Sequence, residues 1–296
     1  DPSRPAIRPG GSAVNHTRRK VPLMSVDKPT RKRRSRKVAI FEPITRSTYI
    51  TIAIVMFVVL LGVWSIITAL GLVQPMFLPS PLKVLGTLGE QAANGELWTD
   101  IGVSTYRILV GYLIATAMSV PIGILMGTST RANAALEPFF DFLRYMPVVA
   151  FIPLTILWAG TGDGQKFLII WMGTFFQQVL MVSDAVRTVP RNYVNLGATL
   201  GMGTGSILTR IVLPSAMPRI WDALRISLGW AWTWLVVAEL VAASSGLGYR
   251  ITVAQRYLAT DTIFGYVIVL GILGLVSDQI MRALARIMFR YQKGRS

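Results

Sequence analysis

The chain has 296 residues, with no cysteine and one histidine. Without cysteine there is no disulfide framework, thiolate nucleophile or cysteine metal site. The lone histidine, His16, lies in a basic N-terminal stretch. The body of the chain therefore cannot assemble a Ser-His-Asp triad or a histidine metal site. Charge is also scarce: Asp, Glu, Lys and Arg make up 15% of the residues, against about 25% in soluble domains. A chain this poor in charge and 52% hydrophobic reads as an integral membrane protein.

The charge that is present is lopsided, with 30 Lys and Arg against 14 Asp and Glu, a net +16. In a soluble protein that excess points to nucleic acid. Here it sits in tails and loops beside apolar runs, where it sets topology and meets anionic headgroups, so no nucleic-acid partner is expected. Met24 opens MSVDKPTRKRRSRK and reads as a native start, so residues 1–23 are left out of the fold reading. The run TRKRRSRK (30–37) then becomes a juxtamembrane basic anchor. Asn15-His16-Thr17 fits a glycosylation acceptor, but so basic a tail reads as cytoplasmic.

A spanning helix needs about 20 mostly apolar residues. Six stretches qualify: 49–70, 108–126, 145–162, 167–183, 220–242 and 262–284. The third carries Pro147 and Pro153, and such a helix holds in a membrane only where neighbours or a cavity satisfy the freed carbonyls. The expected fold is all-α and polytopic, with about six transmembrane helices. Positive residues gather before the first span and after the last, where Arg282, Arg286, Arg290, Lys293 and Arg295 lie. They recur between the second and third spans (Arg131, Arg144) and between the fourth and fifth (Arg187, Arg191, Arg210, Arg219). The positive-inside rule then places both termini in the cytoplasm. The expected organisation is a basic cytoplasmic tail (1–47), a transmembrane domain (48–286) with a cytoplasmic loop at 190–214, and a cytoplasmic C-terminal tail (287–296).

That loop contains NLGATLGMGTGSILTRIVLP (195–214). Its first six residues suit a short helix, and Gly201, Gly203 and Gly205 permit a sharp change of direction. ILTRIVLP then regains helical apolar spacing and is expected to stop at Pro214, with Pro218 restarting the chain into the fifth span. On this pattern alone the segment reads equally well as a short connector. The spacing is more specific. Gly201 is followed by nine residues and then by Ile211, Val212, Leu213 and Pro214. This resembles the cytoplasmic signature loop of ABC importer permeases: E-A-A, three residues, G, nine residues, I-x-L-P. The second half matches position for position, whereas Asn195, Leu196 and Gly197 stand where Glu-Ala-Ala would be.

From about residue 77 to the sixth span the chain is similar to the nitrate, sulfonate and taurine branch of these permeases. The segments that carry the similarity begin with FLPSP (77–81), STYRILVGY (104–112) and PIGILMG (121–127). They continue with RYMPVVAFIPL (144–154), LWAGTGDGQK (157–166), LPSAMPRIWDALRISLG (213–229) and VVAEL (236–240). GLG (246–248) and LATD (258–261) resemble the taurine permeases in particular.

The resemblance implies a type I ABC importer permease fold in a bacterial inner membrane. It implies a homodimer with two ATP-binding subunits and a periplasmic or lipid-anchored solute-binding protein. The loop would be the coupling helix, with Asn195, Leu196, Gly197, Ala198, Leu200, Gly201, Ile211, Leu213 and Pro214 as the ATPase-coupling residues. The implied cargo is a small anionic or zwitterionic solute, taurine or another sulfonate, with nitrate, bicarbonate or a pyrimidine precursor as alternatives. The chain itself lacks G-x-x-x-x-G-K-[ST], and GTGDGQK (160–166) fails that spacing. ATP and Mg are therefore expected in the partner subunits, and this chain is expected to hold no cofactor or metal and to be no enzyme.

Ionisable residues inside spans are candidates for the solute pathway. Glu239 lies ~30 Å along the fifth span from Arg219, near the outer interface. It reads as hydrogen-bonded to a neighbouring helix or water, as a solute contact, or as a gate-supporting bond that combines the two. Arg225 snorkels, pairs with Asp222, or attracts an anion at the inner mouth. Gln177 and Gln178 read as polar glue between helices or as pore lining. Trp230, Trp232 and Trp234 alternate too closely to share one helical face, which leaves Trp230 and Trp234 as partial candidates. Gly111, Gly123 and Gly127 read as close-packing positions. A secondary transporter working alone leaves the Gly201-to-Pro214 spacing unaccounted for. A membrane-embedded enzyme lacks histidine, cysteine and paired carboxylates in the spans.

Overall fold

The structure is a computed structural model that describes residues 44–289. The expectations for His16, the glycosylation tripeptide, the basic run at 30–37 and the end of the C-terminal tail lie outside the described residues. The chain divides into two compact units, residues 1–52 and 53–296. Of the first, the described part is the start of α1 (Arg46–Ala69), entered through Thr45, whose Oγ1 accepts the Thr48 amide at 3.3 Å.

From Ser47 to Ala69 α1 has no charge, and apolar side chains such as Phe57 are exposed, as a lipid-facing helix requires. α2 (Pro81–Ala93) starts on a Ser80 cap, with Pro81 in the first turn where no amide partner is needed. After a turn at Gly95 come α3 (Glu96–Thr128) and α4 (Thr130–Tyr145). A short 3-10 turn (Val148–Phe151) leads into α5 (Ile152–Ala159), and α6 (Asp163–Arg187) follows. α7 (Arg191–Thr199) and α8 (Thr204–Ile207) flank the glycine turn. A π-turn (Leu208–Val212) opens into α9 (Leu213–Ala242), followed by α10 (Leu247–Arg256) and α11 (Thr260–Met288). The described residues contain no strand. The expected all-α polytopic fold is present: five helices are long and apolar enough to cross a membrane, and a bent helix pair makes up to six.

Two expectations about these elements are corrected. The third span is not one helix over 145–162. It is a bent pair, α4 and the 148–159 segment, which meet at 81°. Proline explains the break. Pro147 has no amide to donate and holds Met146 extended (φ −72°, ψ 128°), which ends α4. Pro153 falls in the first turn of α5, where its missing amide costs nothing. The second correction concerns Pro214 and Pro218. The chain does not stop at one and restart at the other but runs helically from Thr204 to Ala242. The π-turn over Leu208–Val212 widens the ladder just before Pro214 and makes room for its ring.

The body is built on α3, α6 and α9. Gly111, Ala115, Ser119, Gly123 and Gly127 recur every four residues and make a small-residue stripe on α3. A Cβ on Gly123 would lie 2.7 Å from the Val179 carbonyl oxygen, and one on Gly127 2.8 Å from that of Ser183. Glycine is what lets the two backbones approach. Toward the glycine turn, Val182, Val186, Ile207, Val212, Ala216 and Ile220 form one apolar cluster joining α6 to α8 and α9.

Candidate functional site

The glycine turn is built as a helix terminator. Gly201 takes φ +73°, which an L side chain adopts only with strain. Its amide bonds to the Ala198 carbonyl at 3.0 Å, and the Met202 amide reaches back to the Gly197 carbonyl at 3.0 Å. These are the two bonds of a Schellman cap. Gly197 is buried, and a Cβ there would meet Ile211 Cδ1 at 2.8 Å and Ile207 Cγ1 at 3.1 Å. The departure from alanine at this position thus has a packing reason: α7 lies flat against the π-turn. Ile211 and Leu213 are half-buried behind α7. Asn195, Leu196, Ala198, Leu200, Gly201 and Pro214 face outward. Leu196 and Leu200, 60% and 72% exposed, stand one helical turn apart and present an apolar ridge.

The other end of α9 carries a buried ionic cluster. The Glu239 side chain is fully buried. Its Oε1 accepts Arg107 Nη1 at 2.9 Å, its Oε2 accepts the Gly248 amide at 2.8 Å, and Ser104 Oγ donates at 2.9 Å. Ser104 Oγ in turn accepts the Leu247 amide at 2.9 Å. Arg107 Nε donates to Asp163 Oδ1 at 2.7 Å, and its Nη1 also reaches the Ser245 carbonyl at 2.6 Å. Alongside, Asp100 accepts from the Gly246 amide, Arg250 Nε and the Tyr266 hydroxyl at 3.0, 3.0 and 3.1 Å. Burial opposes the Arg250 charge, but the Asp100 carboxylate outweighs it and holds that guanidinium above its ordinary pKa. Lys166, buried beside the cluster, donates to the Thr161 and Ala242 carbonyls. Within this cluster each buried charge is met, as burial in low dielectric demands. The same geometry accounts for Gly-Leu-Gly at 246–248. Gly246 has φ +109°, and a Cβ on Gly248 would lie 2.7 Å from Glu239 Cβ. The loop can close over the carboxylate only without side chains there.

Gln178 forms a third polar centre, fully buried between α3, α6 and α9. Its Nε2 donates to Thr116 and Ser227, both at 3.0 Å, and its Oε1 accepts Ser119 at 2.8 Å. Gln177 is half-buried beside it. Trp234 packs its indole over Gly173, while Trp230 is exposed. Arg225 pairs with Asp278 at 3.1 Å and lies 3.5 Å from Asp222. The six pathway candidates are therefore spread over separate parts of the described chain. A groove of about 310 Å³ lined by Ile114, Met118, Phe167 and Trp171 contains none of them. A second, of about 450 Å³, contains Arg225.

The sequence reading missed Arg107, Asp100, Asp163 and Asp278. Arg107 immediately precedes the stretch taken as the second span, and the helix actually extends back to Glu96. A charge held inside a spanning helix was the available signal.

Residues 119–290 match the family described as "Binding-protein-dependent transport system inner membrane component". The chain is an ABC importer permease of the sulfonate and taurine branch. One similar protein, from Brucella abortus (strain 2308), is named "Probable ABC transporter permease protein" and is 36% identical over 248 residues, 84% of this chain and 98% of its own length. The taurine transport system permease protein of Escherichia coli (strain K12) is 34% identical over 245 residues, covering 81% of this permease and 89% of its relative. Among solved structures, the MetNI methionine ABC transporter in an inward-facing conformation superposes with a TM-score of 0.56 at 19% identity, over 64% of this chain and 96% of that one. This last likeness speaks to the fold alone. The permease is a multi-pass protein of a family of inner-membrane components.

Proposed function

We propose that this permease is the membrane subunit of an ATP-driven importer for a small anionic or zwitterionic solute, taurine or another sulfonate. It works as a homodimer with two ATP-binding subunits, which hold ATP and Mg, and a solute-binding protein. Both termini and the glycine turn lie in the cytoplasm, in keeping with the positive charge around them. The α7 ridge of Leu196 and Leu200 seats in the ATPase, and solute moves by alternating access.

The observation that carries this reading is the unbroken helix from Thr204 to Ala242. At 1.5 Å per residue its 39 residues extend roughly 58 Å. It joins the segment that grips α7 through Gly197 to the segment that carries Glu239 in its last turn. A push on α7 therefore acts as a rigid-body tilt of α9, and the Arg107–Glu239 pair at its far end couples that tilt to α3. In this arrangement Glu239 supports a gate. The taurine permease among its relatives is the support for a sulfonate cargo.

The test is reconstitution of the permease in lipid with candidate ATP-binding subunits and a taurine-binding protein. The expected result is ATP hydrolysis and taurine uptake that both rise with the loaded binding protein. No association with any ATPase, together with uptake by the permease alone, overturns the reading.

A further inference from the structure

The groove beside Arg225 plays no part in the lever. It runs between α9 and α11 toward the glycine-turn end, and Asp222, Arg225, Gln279, Arg282 and Arg286 supply its polar wall. On α11, residues 262–277 carry no charge. Asp278, Arg282 and Arg286 then follow at intervals of four and form one stripe. The charge begins where the apolar run ends, which is the level of lipid headgroups. An aromatic anchor marks the same level. Trp221 donates to the Met281 carbonyl at 2.9 Å and meets the Phe289 ring edge-on at 6.3 Å.

The charges in the groove are unequal. A single carboxylate, Asp278, serves both Arg225 at 3.1 Å and Arg282 at 2.7 Å. Arg225 Nε is buried without a hydrogen-bond acceptor, 3.5 Å from the nearest Asp222 oxygen. Arg286 forms no ion pair among the described residues. Guanidinium donors thus outnumber acceptors in a cleft wide enough for a tetrahedral anion, and planar forks of this kind suit phosphate oxygens. One to two turns deeper on the same face of α11, within its uncharged run, Ile272 and Leu275 expose apolar side chains.

We propose that this groove binds the phosphate headgroup of an anionic phospholipid, whose acyl chains lie along Ile272 and Leu275. The site is independent of the cargo and of the energy-coupling reading. Free phosphate offers the same chemistry but would not use the apolar side chains beneath the groove.

The experiment is native mass spectrometry of the full permease, purified with its partner subunits, against phosphatidylglycerol and phosphatidylcholine. Phosphatidylglycerol is expected to be retained in preference. Arg282→Gln with Arg286→Gln should weaken it about thirtyfold, the loss expected for two cations at the headgroup level. Arg286→Gln alone breaks no ion pair and should give an intermediate loss, which keeps the test valid if the double variant folds poorly. Arg282→Lys with Arg286→Lys should retain most of the binding. Millimolar inorganic phosphate should leave the lipid bound. Equal retention of the two lipids, unchanged affinity in the glutamine variants, or displacement by inorganic phosphate overturns the proposal.

Discussion

Arg107 and Glu239 meet at 2.9 Å across 132 residues of sequence, and both are buried. The bond ties α3 to the end of α9. Its neighbours complete it: Ser104 and the Gly248 amide satisfy the rest of the carboxylate, and Asp163 takes the other side of the guanidinium. Removing one partner of such a pair leaves an uncompensated charge. Arg107→Ala should therefore destabilise the permease by about 3–5 kcal/mol, read as a drop in thermal unfolding temperature in detergent. Glu239→Gln keeps the shape and leaves Arg107 paired with Asp163, so it should cost less. Equal, small effects from both would mean that water reaches the pair.

The glycine turn makes a second prediction. Gly201 at φ +73° has open space around it, so the cost of a side chain there is backbone strain rather than collision. Gly201→Leu should cost about 1–2 kcal/mol locally and lower solute-stimulated ATP hydrolysis. Gly201→Asn should retain most of it, because asparagine tolerates the left-handed region. Full activity of the leucine variant would count against the turn as a transmission element.

Helix approach can be tested at Gly123. Its added Cβ would fall 2.7 Å from the Val179 carbonyl oxygen, so Gly123→Leu should force α3 away from α6. The expected outcome is loss of monodisperse protein on size-exclusion chromatography. Gly102→Leu on the same helix, where nothing lies within 4 Å, should elute normally. Similar behaviour of the two would remove the packing argument.

The Gln178 hub offers a fourth measurement. Gln178→Leu leaves Ser119, Thr116 and Ser227 without their shared partner. The loss should be about 1–3 kcal/mol for a buried unsatisfied group, seen as a lower unfolding midpoint. Gln177→Leu, at a half-buried position, should shift it less.

Much of the architecture was legible because lipid leaves few solutions. Backbone groups in hydrocarbon must bond internally, so long uncharged runs become helices wherever they occur. The turn was legible for a different reason. Gly201 and the Ile211-to-Pro214 motif lie close in sequence, and their spacing alone describes a cap followed by a helix. The broken third span was visible only in part. Pro147 and Pro153 announced trouble, but the 81° bend depends on how the two limbs pack, which spacing does not encode.

The polar centres were the least legible. Asp100, Arg107, Asp163, Glu239 and Arg250 come from four separate helices, and no local pattern predicts which will meet. Gly246 and Gly248 gave a hint in sequence, but their purpose depends on a carboxylate arriving from α9. By itself the sequence determined membrane residence, the number of apolar runs and the place of the glycine turn, because each depends on local composition and spacing. Only the tertiary structure decided that the helix after the turn runs unbroken to Glu239 and that Arg107 waits there. Both facts depend on long-range packing, where burial makes an unpaired charge too costly to remain alone.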